Sequence, residues 1–267
     1  MNHIDSTIIT NEVRQEIIQR LQNVEKTQDV RILMAIESGS RAWGFASPNS
    51  DYDVRFIYVR EKDWYVAVDF EEKRDVIEYP IVDDIDLNGW DVRKALRLFW
   101  KSNPTFIEWI QSSNLYMESG IFHHKAQALL AHIYSVEKGI YHYRSMAKTN
   151  YRDYLRAELV PLKKYFYVLR PLLAIRWLEK YQRAAPIEFH KLLELVEDKQ
   201  ILDAIHHLLE QKRSNAELTL APAIPLLTKF IESELERLDS IQPFKIKRDA
   251  EMMQLNQLFH HVLNESV

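Results

Sequence analysis

Between residues 38 and 53 the chain leaves one strand-like stretch and enters another through Ser-Gly-Ser-Arg-Ala-Trp-Gly-Phe-Ala-Ser-Pro-Asn-Ser-Asp-Tyr-Asp. This segment limits the architecture more than any other. On its near side, residues 30–37 read Val-Arg-Ile-Leu-Met-Ala-Ile-Glu, apolar and β-branched enough for a strand. On its far side, residues 51–60 form a second strand, where alternation puts Asp51, Asp53, Arg55, Ile57 and Val59 on one face. Gly39, Gly44 and Pro48 make the connection turn-rich, with room for a short helix over 40–45. Any fold for this chain must place a glycine turn and two carboxylates at the same end of neighbouring strands.

The remaining pattern surrounds that pair of strands. Val13, Ile17, Leu21 and Val24 recur at helical spacing over residues 10–26, with Thr10 or Asn11 as the cap. Residues 75–81 and 84–88 read as further strands. Asp91 caps a helix over 92–102 that stops at Asn103-Pro104, and another helix spans 105–112. From about residue 115 strand signals cease. Helices follow, separated by Pro161, Pro171, Pro186, Pro222, Pro225 and Pro243. The expected fold class is α+β: an N-terminal mixed sheet with flanking helices over 1–115, then a mostly α-helical domain over 116–267.

Composition excludes several classes. The absence of cysteine rules out disulfides and Cys-ligated zinc and suits a reducing cytoplasm. A formal net charge of −4 gives no global basic field. No apolar stretch approaches the ~18 residues of a membrane span, and residues 1–5 carry no signal-peptide pattern, so a cytoplasmic location without a membrane partner is expected. The pairs His123-His124, His206-His207 and His260-His261 are adjacent, and adjacent side chains on a helix diverge, which disfavours zinc.

The chemistry of residues 39–53 is that of a nucleotide handler. Gly39 lets the backbone approach a phosphate without a Cβ, Ser40 adds a hydroxyl donor, and the following residues can open a helix whose N–H groups favour anions. Asp51 and Asp53 are hard oxygen ligands suited to Mg²⁺ or Mn²⁺. Two ions need a further carboxylate from another strand. Asp86 is favoured, because its flanks Ile85 and Leu87 face the core while it faces away; Asp84 is the reserve, Asp83 is less well placed, and Asp91 is a helix cap. In this scheme Asp51 and Asp53 bridge two metals, while Asp86 holds the metal at the acceptor hydroxyl and takes its proton. Arg41 either reaches phosphate or lies on a solvated helix. Trp43 and Phe45 pack on the core in preference to stacking a base. Arg55 pairs with Asp53 or Asp86. Residues 152–180 carry seven Lys/Arg against three Asp/Glu, and Arg156, Lys163, Tyr167 and Arg170 fall on one helical arc, a face for a triphosphate or an RNA backbone.

The string Gly39-Ser40-Arg41-Ala42-Trp43-Gly44 with Ser50-Asp51-Tyr52-Asp53 resembles the signature of the DNA polymerase beta-like nucleotidyltransferase superfamily. With Asp86-Leu87-Asn88-Gly89-Trp90-Asp91 and residues 163–178 added, the chain looks closest to the YcgL/RlaP-like bacterial nucleotidyltransferases associated with RNA repair, some of which neighbour RNA ligases. The resemblance implies a nucleotidyltransferase-type sheet domain and a helical nucleotide- or substrate-binding domain. It implies Gly39, Ser40 and Arg41 on the triphosphate, Asp51, Asp53 and Asp86 on two Mg²⁺ or Mn²⁺ ions, and Lys163, Lys164 and Arg170 as the helical domain's phosphate contacts. The expected reaction moves an NMP from an NTP to an acceptor hydroxyl, an RNA end, with release of pyrophosphate. Two alternatives stand beside it: an antitoxin-like enzyme whose acceptor is a protein hydroxyl, and a catalytically silent nucleotide- or RNA-binding module.

Overall fold

The computed structural model describes residues 9–214, 220–240 and 252–265. Thr10 caps α1 (Asn11–Gln28) by accepting the Val13 N–H at 3.4 Å, and Ile17, Leu21 and Val24 bury one stripe of the helix. A mixed sheet follows. β1 (Arg31–Glu37) runs antiparallel to β2 (Tyr52–Val59), with the short helix α2 (Gly39–Ala42) between them in sequence. After α3 (Lys62–Tyr65), β3 (Val76–Glu78) pairs antiparallel with β4 (Ile85–Asp91), and β4 lies parallel to β2. The order across the sheet is β3-β4-β2-β1-β5, with β5 (Leu115–Glu118) on the free edge of β1.

Alternation along the strands sets which side chains face which layer. Val54, Phe56 and Tyr58 join Ile85, Leu87 and the buried stripe of α1 in one apolar cluster. Asp53, Arg55, Asp86 and Asn88 therefore project from the opposite face. Asp91 caps α4 (Val92–Trp100) through the Arg93 N–H at 2.8 Å, and Asn103 caps α5 (Pro104–Gln111) through the Phe106 N–H at 3.2 Å. The helix α4 packs on β2 and β4, and α6 (Phe122–Ile133) packs on β1.

The described residues form two compact units. The first comprises 9–42, 51–133 and 252–265; the second comprises 43–50, 134–214 and 220–240. The first holds the sheet, whereas the sequence reading placed a boundary at residue 115. β5 belongs with the sheet because it hydrogen-bonds to β1, and the C-terminal helix α12 (Met252–Asn264) belongs with it because it packs on α4 and α6. The expectation that strands end near residue 115 does not hold. β5 is four residues long, and β6 (Leu159–Pro161) and β7 (Leu220–Pro222) are three each, too short to show alternation.

The second unit contains α7 (Val136–Tyr154), α8 (Lys164–Tyr181), α9 (Phe189–Leu193), α10 (Lys199–Ser214) and α11 (Pro225–Ser240). Its centre is α8, most of whose side chains are buried, from Tyr165 and Phe166 through Leu169 to Leu178. Pro171 lies inside this helix instead of ending it. A helix-internal proline costs about 3 kcal/mol, and the burial of the surrounding leucines and aromatics offsets that locally. No helix among the described residues is long and apolar enough to cross a membrane.

Close strand packing makes one position especially intolerant. Gly89 of β4 pairs with Phe56 of β2, and a Cβ at Gly89 would meet Phe56 Cε2 at 2.1 Å and Cζ at 2.3 Å. Phe56 is fully buried, so its ring has nowhere to swing without repacking. Gly89→Ala is expected to lower the unfolding free energy by about 1–3 kcal/mol. Urea denaturation of the variant checks this, and wild-type stability would show that the ring yields.

Candidate active site

The parallel pairing of β2 with β4 sets Asp53 directly opposite Asp86, on the same face of adjacent strands. Both side chains keep partial exposure, at 30% and 28%. One guanidinium joins them. Arg55 Nη2 lies 2.9 Å from Asp53 Oδ1 and 2.6 Å from Asp86 Oδ2, while Nη1 donates to the Asp86 carbonyl at 2.8 Å and the Val54 carbonyl at 3.1 Å. The expected pairing of Arg55 with Asp53 or Asp86 is thus a pairing with both. Asp84 is placed differently. It lies in a left-handed turn with φ +59°, and its carbonyl accepts the Tyr52 N–H at 2.7 Å. Asp83 pairs with Arg20 at 2.7 Å, and Asp51 is exposed immediately before β2.

Gly39 packs against this pair. Its φ is +59°, and a Cβ there would sit 1.9 Å from Asp53 Oδ2. A glycine is required twice over, by the left-handed backbone and by the carboxylate above it. The turn is clasped to β2 by the Ser38 N–H, which donates to the Asp53 carbonyl at 2.8 Å. Ser40 is half-buried in α2, and Arg41 is buried with its guanidinium 4.0 Å from the Tyr52 ring centre. Arg41 is therefore no solvated helix residue. The helix itself has only four residues, so the macrodipole expected to draw anions is a single turn of peptide dipoles.

Behind Asp53 lies a carboxylate that sequence reasoning missed. Glu37 ends β1 and is fully buried. Its Oε1 accepts the Asp53 N–H at 3.1 Å and its Oε2 accepts the Tyr116 hydroxyl at 2.6 Å. Burial pushes the Glu37 carboxyl up to about 7, against the pull of those two hydrogen bonds. The available signal was an acidic residue closing an otherwise apolar strand next to the Ser-Gly-Ser turn. Burial also pushes the Asp53 carboxyl above its ordinary range; Arg55 pulls against that, and the neighbouring Asp86 and Asp51 charges push further up.

The donor set suits a hard divalent ion. Asp53 and Asp86 already turn one oxygen each toward a single cationic nitrogen. Among the described residues no three carboxylate or imidazole side chains are grouped to hold an ion by themselves. That is compatible with Mg²⁺, which is commonly held by one or two carboxylates together with water and substrate phosphates.

The helical-domain residues lie in the second unit. Lys163 is exposed just before α8. Lys164 is partly buried, its ammonium 3.9 Å from the Tyr154 ring centre and 4.8 Å from that of Tyr167. Arg170 departs from the solvent-facing arc expected for it. It is 3% exposed, donates to the Ile187 carbonyl at 3.3 Å and lies 4.6 Å from the Trp43 ring centre. Because Arg170 lies on a buried face of α8, its cation is satisfied inside the unit. Phe45 is buried in the same core and Trp43 packs partly against it, as their sequence reading expected.

Comparison with known proteins adds a lineage to this geometry. The RlaP family, described as an RNA repair pathway DNA polymerase beta family, matches residues 13–261. The uncharacterized protein YcgL of Bacillus subtilis (strain 168) is 43% identical over 255 residues, covering 95% of this chain and 97% of the relative. The crystal structure of a nucleotidyltransferase-like protein from Exiguobacterium sibiricum 255-15 covers 92% of this chain and 88% of its own, at 13% identity and a TM-score of 0.34. The last likeness is too distant to bear on function.

The buried Glu37 makes stability depend on pH. Its folded value of about 7 exceeds the usual 4.5, so the folded protein holds the proton more tightly than the unfolded chain. That contribution is complete below pH 4.5 and is lost as pH rises through 7. Glu37→Gln in chelator-treated buffer is expected to gain on the wild type across this interval by up to about 3 kcal/mol, then to run parallel above it. Chemical denaturation from pH 4 to 8 measures the difference; parallel curves throughout would contradict it.

Proposed function

The chain belongs to the RNA repair pathway DNA polymerase beta family, and from that premise we propose that it is a metal-dependent nucleotidyltransferase acting on an RNA end. The observation that carries the reading is the register of β2 with β4, which sets Asp53 beside Asp86, with the Asp53 carboxylate seated against the glycine turn where a Cβ of Gly39 would otherwise lie. In the proposed reaction the acceptor oxygen bonds to the α-phosphorus of an NTP. The opposite bond, to the bridging oxygen of pyrophosphate, breaks in line, and pyrophosphate leaves with that electron pair. The hydroxyl proton passes to the Asp86 carboxylate.

Asp51, Asp53 and Asp86 would hold two Mg²⁺ or Mn²⁺ ions, which when bound offset triphosphate charge and polarise the acceptor hydroxyl. The protein's own groups do the rest. Gly39 allows the backbone N–H groups of the turn to approach phosphate oxygens, and the Ser40 hydroxyl donates to one of them. Arg41, fixed over Tyr52, adds positive potential at the turn. Lys163 and Lys164 serve phosphates of the nucleotide or of an RNA backbone, whereas Arg170 braces Trp43 from inside the second unit. Arg55 keeps the two carboxylates aligned before substrate arrives.

The test is transfer of label. The protein is incubated with Mn²⁺ and each of the four α-labelled NTPs, against total RNA and against lysate protein. Label is expected on RNA. Asp53→Asn is expected to reduce transfer by about 100-fold or more, the scale at which even the outer partners of metal ligands act. The same variant should melt no lower than the wild type in chelator, since burial and the Asp86 and Asp51 charges already disfavour its ionised form. Label on protein alone would make the acceptor a protein hydroxyl. Nucleotide binding without transfer to either polymer would make the chain a silent binding module.

A further inference from the structure

The second unit carries a row of rings that the reaction as described does not use, set around one of the lysines assigned to phosphate above. At its outer end Tyr154, on the last turn of α7, is 41% exposed. The Lys164 ammonium lies between it and Tyr167, 3.9 Å from one ring centre and 4.8 Å from the other. Tyr167 is likewise 41% exposed. Its ring meets Trp43 edge-on, with centres 5.7 Å apart and planes at 80°. Trp43 is in turn held from below by the buried Arg170 guanidinium and by Phe45 at 5.6 Å. The inner end of the row is thus anchored in a packed core, while the two tyrosines present ring surface to solvent.

That arrangement has a specific use. Tyrosine is a residue of intermediate burial, so exposure alone marks nothing. Here two rings are kept out and fixed in orientation, one by an edge-on indole and both by a shared ammonium. Bases stack on such rings whatever their identity, because every base has a π-face, and cations beside the rings take the phosphates between bases. Arg156 and Lys163 are exposed on the short stretch that joins α7 to α8 and supply two such cations. Nothing in this row discriminates base edges, so the surface suits a strand gripped by stacking and charge.

We propose that Tyr154, Lys164 and Tyr167 form a stacking platform for the single-stranded end of the acceptor RNA. The RNA identity of the strand rests on the acceptor reading above; the platform rests on the rings and their cations. Binding of a labelled, unstructured RNA of about 12 nucleotides to the full chain, followed by fluorescence anisotropy, tests it. Tyr154→Leu and Tyr167→Leu are each expected to weaken RNA binding about tenfold, the effect of losing one stacked base. Tyr167→Phe, which keeps the ring, should bind as the wild type does. Thermal unfolding of the same variants should match the wild type, which separates loss of the platform from loss of the fold.

Three outcomes overturn the proposal: RNA affinity unchanged in both leucine variants, equal loss in Tyr167→Phe, or competition by polyglutamate as strong as by RNA. The transfer assay stands apart from these results. Wild-type protein that binds RNA through the rings but labels none of it would refute the acceptor reading and leave the platform in place.

Discussion

Holding two carboxylates side by side costs free energy, and the arrangement of the first unit follows from how that cost is met. The register of β2 on β4 forces Asp53 and Asp86 together on one face. A parallel pair of strands brings the same ends of both into line, so residues near the start of each share a surface. Arg55 answers the resulting charge from inside the same strand. Two residues beyond Asp53, it shares that face and reaches both carboxylates with one nitrogen. An arginine is suited to this because its planar fork keeps several donors in fixed relation and stays charged. Its second nitrogen, bonded to the Asp86 and Val54 carbonyls, ties the side-chain pair to the backbone of both strands.

Glu37 adds a third acid close by, and this is harder to justify by stability. A fully buried carboxyl raised to about 7 weakens the fold at neutral pH. What it provides is local. By accepting the Asp53 N–H and the Tyr116 hydroxyl it links β1, β2 and β5 at the level of the glycine turn. The Ser112 hydroxyl reinforces the same point by donating to the Glu37 carbonyl at 2.7 Å. A turn whose glycine touches Asp53 needs such bracing, because a small displacement would drive the turn into the Asp53 carboxylate or away from it. Sites that depend on geometry often carry local strain that the rest of the fold must hold.

Sequence made some of this visible and hid the rest for identifiable reasons. Asp53 and Asp86 were legible because period-two alternation is strict, and apolar flanks such as Ile85 and Leu87 declare which way the acid points. Glu37 was not, since a single acid ending an apolar strand looks like the point where the chain meets water. Whether it does depends on Tyr116 of β5, distant in sequence and carried on a strand too short to announce itself. Arg170 failed for the opposite reason. A cation on a helix is ordinarily solvated, and only the packing around this face of α8 shows that its partners are an indole face and a carbonyl. Pro171 misled in the same way: propensity is a local quantity, and the packing that overrides it is not.

The chemistry divides along comparable lines. Nucleotidyl transfer needs fixed charge where the triphosphate and the attacking oxygen meet, because electrostatic stabilisation works best when donors and dipoles need no reorganisation. Strands joined by hydrogen bonds and a shared guanidinium provide that rigidity in the first unit. Grip on an acceptor strand has a different requirement. It must tolerate sequence and release product, so stacking and screened charge serve better than a closed pocket with many directed hydrogen bonds. In the proposed reading, the exposed rings of Tyr154 on α7 and Tyr167 on α8, the latter anchored through Trp43 in a core, would meet that second requirement. That reading would leave the directional work to Gly39, Asp53 and Asp86.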